Sequence, residues 1–486
     1  MRSEEFRKRR RAAIYYILKG AAIVKTFKRI LTIAVVGLVC ALSAASFAQQ
    51  EPSDSYKPNA AVMSPKYFEF WNADVQAKID ADIEKNRKAD AVVELPASAA
   101  GAEVKVEQIT HKFRFGSNMF VFGQLRTPEL NDAYKSLYGD LWNSGTVAFY
   151  WKTLEFEQGK VRFEGNQYDT PEYWANSKDP KQERHWRRPP TDPCVDFLNS
   201  KGLYVHGHAM IYGMRRWGHP DWLPEDRKEL EKLFEEHIKL LCQRYGDRVQ
   251  EWDVVNECID QANRGIMPDD YTYKCFKWAE KYLPASVRLS SNECDMSWGP
   301  KRRYVEIVRD LVDRGAKVDL MGVQKHFFNP KTVASIANGA DSHTPAFMYS
   351  VLDCMAEAER PIHISEVTVP APADNANGRD IQAVVAYNLY RLWFSYPNVE
   401  GITWWNSIDG GGAPGEPTTS GVLDSNGQKK PVYYALDQLI NHDWKTNLTV
   451  KADETGIVKF RGFRGKYRLA WTDASGTEQT KEVVVE

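Results

Sequence analysis

The sequence has no C-x-x-C pair and no tight cluster of cysteine with histidine, which removes the usual signatures of a zinc site. Its seven cysteines are scattered. The six beyond the N-terminal region, Cys194, Cys242, Cys258, Cys275, Cys294 and Cys354, read as small buried residues whose pairing no spacing specifies. The chain also lacks an excess of charge, since 64 Lys and Arg face 65 Asp and Glu. Residues 1–48 hold ten basic and two acidic residues, which leaves 54 basic and 63 acidic in the remainder, a mildly acidic body that argues against nucleic acid as a partner. Long apolar runs are missing as well, apart from one uncharged stretch of about 18 residues, Ile30 to Phe47.

Lys25, Lys28 and Arg29 precede that stretch, and it closes with Ala45-Ser46-Phe47-Ala48, a small-x-small pattern. It is therefore predicted to be a secretory signal cut near Ala48. The product is expected to be secreted, periplasmic or at the cell surface, with no stable membrane insertion after cleavage. Residues 1–24 read as an extension upstream of the signal or as a mis-assigned start, and residues 1–48 are grouped as one signal region.

Residues 49–111 are expected to hold a polar linker, a leading helix over Tyr67–Lys88 and a β-hairpin. In the helix Phe68, Phe70, Trp71, Val75, Ile79 and Ile83 recur at helical spacing. The hairpin would join Ala91–Leu95 to Ala102–Ile109 through Pro96–Gly101.

What is present from Lys112 onward is an alternation. Eight short apolar runs read as strands: Phe113–Phe120, Ser144–Trp151, Leu203–Met210, Val249–Glu257, Val287–Glu293, Val318–Phe327, Pro361–Val369 and Gly401–Asp409. Helical patterns such as Glu225–Tyr245, Pro300–Arg314, Tyr349–Glu359 and Arg379–Phe394 lie between them. Eight strand–helix repeats predict an α/β fold, a (β/α)₈ TIM barrel over residues 112–444. The piece from Glu157 to Asp192 is unusually long and is expected to rise over the top face, where Trp174 and Trp186 would form an aromatic wall. Residues 445–486 switch to alternating strands and predict a small accessory β module that completes itself with the N-terminal hairpin.

Chemistry is carried by two strand tips. Trp252-Asp253-Val254-Val255-Asn256-Glu257 ends an apolar run in an amide and a carboxylic acid, and Ser365-Glu366-Val367 repeats the design on the seventh strand. Barrel enzymes hold their catalysts at such tips. Retaining hydrolysis of a glycosidic bond needs one acid to protonate the leaving oxygen and one carboxylate, about 5 Å away, to attack the anomeric carbon. Glu257 and Glu366, at the ends of the fourth and seventh strands, meet that need as a pair, with Asn256 placed to bond a sugar hydroxyl. His208, Asn292, Gln324, His326, Trp404 and Trp405 fall at neighbouring strand ends and predict a polar cleft floored by aromatic rings. No metal or cofactor is required by this chemistry. A glycan-binding barrel without catalysis is the other class of protein these residues allow, but binding alone has no use for a nucleophile facing a protonated acid.

The Trp252–Glu257 motif, Gln324-x-His326-Phe327, Lys152 in the run opening Asn143-Ser144-Gly145-Thr146, and Ile402-Thr403-Trp404-Trp405 occur in an order that resembles glycoside hydrolase family 10, the retaining endo-β-1,4-xylanases. The resemblance covers about residues 112–440. It implies a polysaccharide substrate, xylan or a related β-glycan, with Glu257 as acid/base, Glu366 as nucleophile, His326 bonded to the nucleophile and Lys152, His208, Asn256, Gln324 and Trp405 around the attacked sugar. Tyr212 stands where the family usually has tryptophan, and Ala148-Phe149 where it has a Glu-Asn pair. The loop after Trp405 runs through Asp409-Gly410-Gly411-Gly412 to Glu416. These departures spare the expected catalytic subsite and alter its neighbour.

Overall fold

The computed structural model describes residues 56–259, 264–295 and 302–486, the side chains of Cys294 and Asp295 excepted. The predicted signal region, residues 1–48, and the side chain of Cys294 lie outside these. Fourteen strands are described: β1 (Lys88–Glu94), β2 (Glu103–His111), β3 (Arg114–Asn118), β4 (Ser144–Ala148), β5 (Tyr204–Tyr212), β6 (Glu251–Asn256), β7 (Arg288–Asp295), β8 (Leu320–His326), β9 (Ile362–Thr368), β10 (Val399–Trp404), β11 (Asn447–Lys451), β12 (Ile457–Phe463), β13 (Gly465–Thr472) and β14 (Glu478–Val485).

Strands β3 to β10 pair in parallel and close into a barrel, with β10 returning to β3. All eight predicted runs are thus barrel strands. Every residue of β3, β4, β6, β8 and β9 is buried. Burial on both faces is why these strands read as continuous apolar runs rather than as alternation. The helices between them are capped where the sequence permits. Asp226 accepts hydrogen bonds from the amides of Lys228 and Glu229 at the start of Arg227–Tyr245, and Thr344 does the same for Phe347.

The interior is filled closely enough to make one glycine obligatory. Trp252 on β6 is fully buried and lies over Gly207 of β5, where a Cβ would stand 2.4 Å from Trp252 Cε3. Gly207→Ala is therefore expected to cost about 1–3 kcal/mol through overpacking. The measurement is a thermal melt, and a midpoint no lower than that of the parent protein would contradict this packing.

The accessory module is built from both ends of the chain, but the predicted N-terminal hairpin does not form. β1 pairs antiparallel with β12, and β2 lies between β11 and β13 in a four-stranded sheet with β14. Val93, Val104, Val106, Val458, Leu469 and Trp471 make its core. Its two tight turns share one device: Asp453 accepts from the amides of Thr455 and Ile457, and Asp473 from those of Ser475 and Thr477. The predicted leading helix is two helices, Pro65–Phe70 and Ala73–Arg87. Asn72 starts the second by accepting from the Val75 amide, so the periodic apolar residues run through a break.

Candidate active site

Glu257 follows the last residue of β6 with φ at +52°, in the left-handed region that non-glycine residues rarely occupy. Its amide donates to the Asn292 carbonyl at 2.8 Å, so the chain turns sharply out of the barrel while still tied to β7. Strain of this kind persists where the surroundings over-determine it, which is common at functional sites. The Tyr212 hydroxyl donates to Oε2 at 2.6 Å and the Gln324 amide to Oε1 at 3.0 Å. Burial pushes the Glu257 carboxyl above its ordinary range, and the nearby Glu366 charge adds to the rise against those two donors.

Glu366 lies on β9 opposite Gln324 of β8, the residue that holds Glu257. Asn292 donates from one amide nitrogen to Glu366 Oε1 at 2.8 Å and to Asn256 Oδ1 at 3.0 Å. The Ser365 hydroxyl donates to Asn292 Oδ1 at 2.5 Å, which fixes that amide's orientation. His326 Nε2 stands 3.2 Å from Glu366 Oε2, with Nδ1 held 2.8 Å from the Thr368 hydroxyl. Glu366 is thereby aimed by partners from β7 and β8.

A second chain of contacts lies beneath it. His208 Nδ1 is 2.8 Å from Asp253 Oδ2, while Nε2 is 3.0 Å from the Tyr150 hydroxyl and 3.8 Å from Glu366 Oε1. Burial would raise the Asp253 carboxyl, but His206 and His208 hold it well below the usual carboxylate range. An ionised Asp253 accepts from His208 Nδ1–H and leaves Nε2 directed at Tyr150 and Glu366.

The cavity over these groups holds about 370 Å³. Glu257, Glu366, Asn256, Gln324, His326, Tyr212 and Trp405 line it. Asn292 and His208 are buried and support the lining residues from behind. Two predicted contacts fall elsewhere. Lys152 sits on the short helix Trp151–Leu154 with its ammonium on Asp221 Oδ1 at 2.7 Å and the Arg215 carbonyl at 2.6 Å, because the loop after β5 brings a carboxylate to it. Trp404 is fully buried, its ring N–H donating to the Ser420 carbonyl, since strand parity turns it away from its neighbour Trp405.

The altered neighbouring wall is also different from expectation. Phe149 packs in the core against Tyr245 and Trp252, and Tyr150 takes its place at the cavity. Trp174 is fully buried, so the excursion Glu157–Asp192 contributes Arg187 and Arg188 to the wall instead of an aromatic surface. Arg187 is ion-paired with Glu416 of the glycine loop at 3.3 Å and donates to Asn406 at 2.8 Å. Phe120 completes this side, edge-on to Trp405 at 4.8 Å between ring centroids. Sequence reasoning missed Phe120, Tyr150, Arg187 and Arg188, for which no motif or spacing was available, while Glu416 belongs to the departing loop singled out after Trp405.

Away from the cavity, His206, Glu251 and His363 bring one potential ligand atom each within 4.8 Å of one another. The Arg114 guanidinium is already bonded to Glu251, so the carboxylate's charge is met without a metal ion.

A barrel with two glutamates converging at its strand tips is the architecture of a carbohydrate-cleaving enzyme, and the comparisons agree. Residues 151–439 match the model for glycosyl hydrolase family 10, and the chain belongs to that family of glycoside hydrolases. Endo-1,4-β-xylanase B of Thermotoga neapolitana is 24% identical over 274 residues, 53% of this chain and 75% of that enzyme. Endo-1,4-β-xylanase B of Paenibacillus barcinonensis is 28% identical over 152 residues, 28% of this chain, and the match spans less than half of that relative, 45%. Among solved structures, xylanase 10B from Thermotoga petrophila in complex with xylobiose superposes with a TM-score of 0.53 at 20% identity, covering 68% of this chain and 95% of that one, which supports the barrel fold.

Proposed function

We propose that the protein is a secreted, retaining endo-1,4-β-xylanase that works by double displacement, with Glu366 as nucleophile and Glu257 as acid/base. The observation that carries this reading is the pair itself. Gln324 donates to Glu257 and stands opposite Glu366 on the adjoining strand, so the two carboxyl groups share one cavity while their surroundings differ. Glu257 is buried and its protonated form is favoured; Glu366 is ringed by donors from Asn292 and His326 that aim an oxygen for attack. In the first step Glu257 gives its proton to the leaving oxygen as Glu366 bonds to the anomeric carbon. In the second, Glu257 takes a proton from water, which displaces Glu366 and restores the starting state.

Trp405 and Phe120 supply apolar faces for sugar rings beside these groups. The xylanase names of the relatives support xylan as the substrate. The basic, uncharged and small-residue pattern around Lys25–Ala48 supports export, and no helix of the described residues is long and apolar enough to cross a membrane. The test is reducing-sugar release by the purified protein on xylans, mixed-linkage glucan, mannan and arabinogalactan. Xylan turnover with oligosaccharide products is expected, and activity confined to another polymer would overturn the substrate assignment.

A further inference from the structure

Arg188 is buried, with 8% of its surface exposed, and it lines the same cavity as Glu257 and Glu366. Its guanidinium lies 3.7 Å from the centroid of the Tyr150 ring and 5.0 Å from that of Phe120. One nitrogen donates to the Arg187 carbonyl at 2.7 Å. Among the described residues no carboxylate forms an ion pair with it. Glu416, the carboxylate whose charge reaches Arg188, is engaged by Arg187, Asn406 and the Ala413 amide. Glu366 is engaged by Asn292 and His326, while the Tyr150 ring under Arg188 has its hydroxyl on His208.

The wall therefore carries two adjacent buried cations with different fates. Arg187 is neutralised and ties the excursion to the glycine loop. Arg188 is held against the Tyr150 ring and lines the cavity without an ion-pair partner among the described residues. Burial pushes its guanidinium down to about 10, with the Arg187 charge adding to the fall against Tyr150 and Glu416, yet the group stays charged at neutral pH. A buried charge without a partner is costly and is tolerated where a ligand supplies the partner. Guanidinium presents a planar fork that matches a carboxylate with two parallel hydrogen bonds, whereas neutral sugar hydroxyls use single donors.

We propose that Arg188 is a specificity residue that binds the carboxylate of a uronic-acid unit on the glycan, so that the enzyme prefers acidic, uronosyl-substituted xylan to the unsubstituted chain. This rests on the hydrolase reading above and names the substrate class of that same site. The cation sits on the wall where Ala148-Phe149 offers no polar side chain to the cavity, so the charge pair replaces neutral hydrogen bonds as the grip on the sugar next to the reacting one.

The test measures binding apart from turnover. Full-length protein carrying Glu366→Gln is titrated by calorimetry with a xylo-oligosaccharide bearing one glucuronosyl branch, and with its twin whose carboxyl has been reduced to an alcohol. The acidic form is expected to bind roughly tenfold to hundredfold more tightly. Adding Arg188→Gln should erase the difference between the twins while leaving affinity for the reduced twin within about threefold, a selectivity that loss of packing would not produce. Equal affinity of the twins, or binding of neither, overturns the inference, and the twin comparison stands even if the Arg188 variant fails to fold. Lack of xylan turnover by the parent protein would instead sink the xylanase assignment, leaving the binding comparison to decide the role of Arg188.

Discussion

Glu366→Gln is expected to abolish turnover, with a loss of roughly 10⁴-fold or more in kcat, while the protein stays folded and still binds glycan. The side chain is replaced by one of equal size, so the cavity keeps its shape. Asn292 and His326 each retain a polar neighbour, because an amide presents both an acceptor and a donor and can turn to suit them. What disappears is the only charged oxygen these partners aim. The amide cannot form the covalent intermediate, and the site is left with water attack from a pocket not arranged for it. Comparing kcat with oligosaccharide affinity in the same preparation separates chemistry from folding. A loss smaller than about tenfold would remove Glu366 from the reaction and favour a barrel that merely binds.

Much of this arrangement was legible beforehand. The barrel strands are buried on both faces, so Val249–Glu257 or Pro361–Val369 stood out as unbroken apolar runs, and a carboxylate at the tip of such a run has few structural uses. The misreadings share a different cause. The hairpin expected around Pro96–Gly101 has acceptable turn residues, yet β1 and β2 each pair with strands more than 300 residues away in the chain, a choice made by the C-terminal module's apolar face. Lys152 has the expected place in the sequence order, but the loop that brings Asp221 to it cannot be read from that order. Trp404 and Trp405 are adjacent, and only strand register tells which faces the cavity. Arg187 and Arg188 lay unseen because two neighbouring cations ordinarily mark a solvated surface; their burial comes from Phe120, Tyr150 and Glu416, each contributed by a different segment.

Glu257→Ala should act unevenly on substrates, and that unevenness identifies its role. On polysaccharide the leaving oxygen must be protonated, so kcat/KM is expected to fall by about 10²–10⁴-fold. On an aryl glycoside whose leaving group departs without a proton, the first step needs no acid, and kcat/KM should remain within about tenfold of the parent value. Deglycosylation still needs a base, so kcat on the aryl substrate should drop. The pH profile adds an independent sign. Burial and the Glu366 charge raise the Glu257 carboxyl, so the acid form persists above the ordinary carboxylate range, and activity on polysaccharide falls as pH rises through that titration. In Glu257→Ala the alkaline fall should vanish. Tyr212 donates to the ionised carboxylate and so lowers its titration; Tyr212→Phe removes that stabilisation, and the alkaline limb should move to higher pH. An alkaline limb that survives Glu257→Ala, or a shift to lower pH in Tyr212→Phe, would assign the proton to another group.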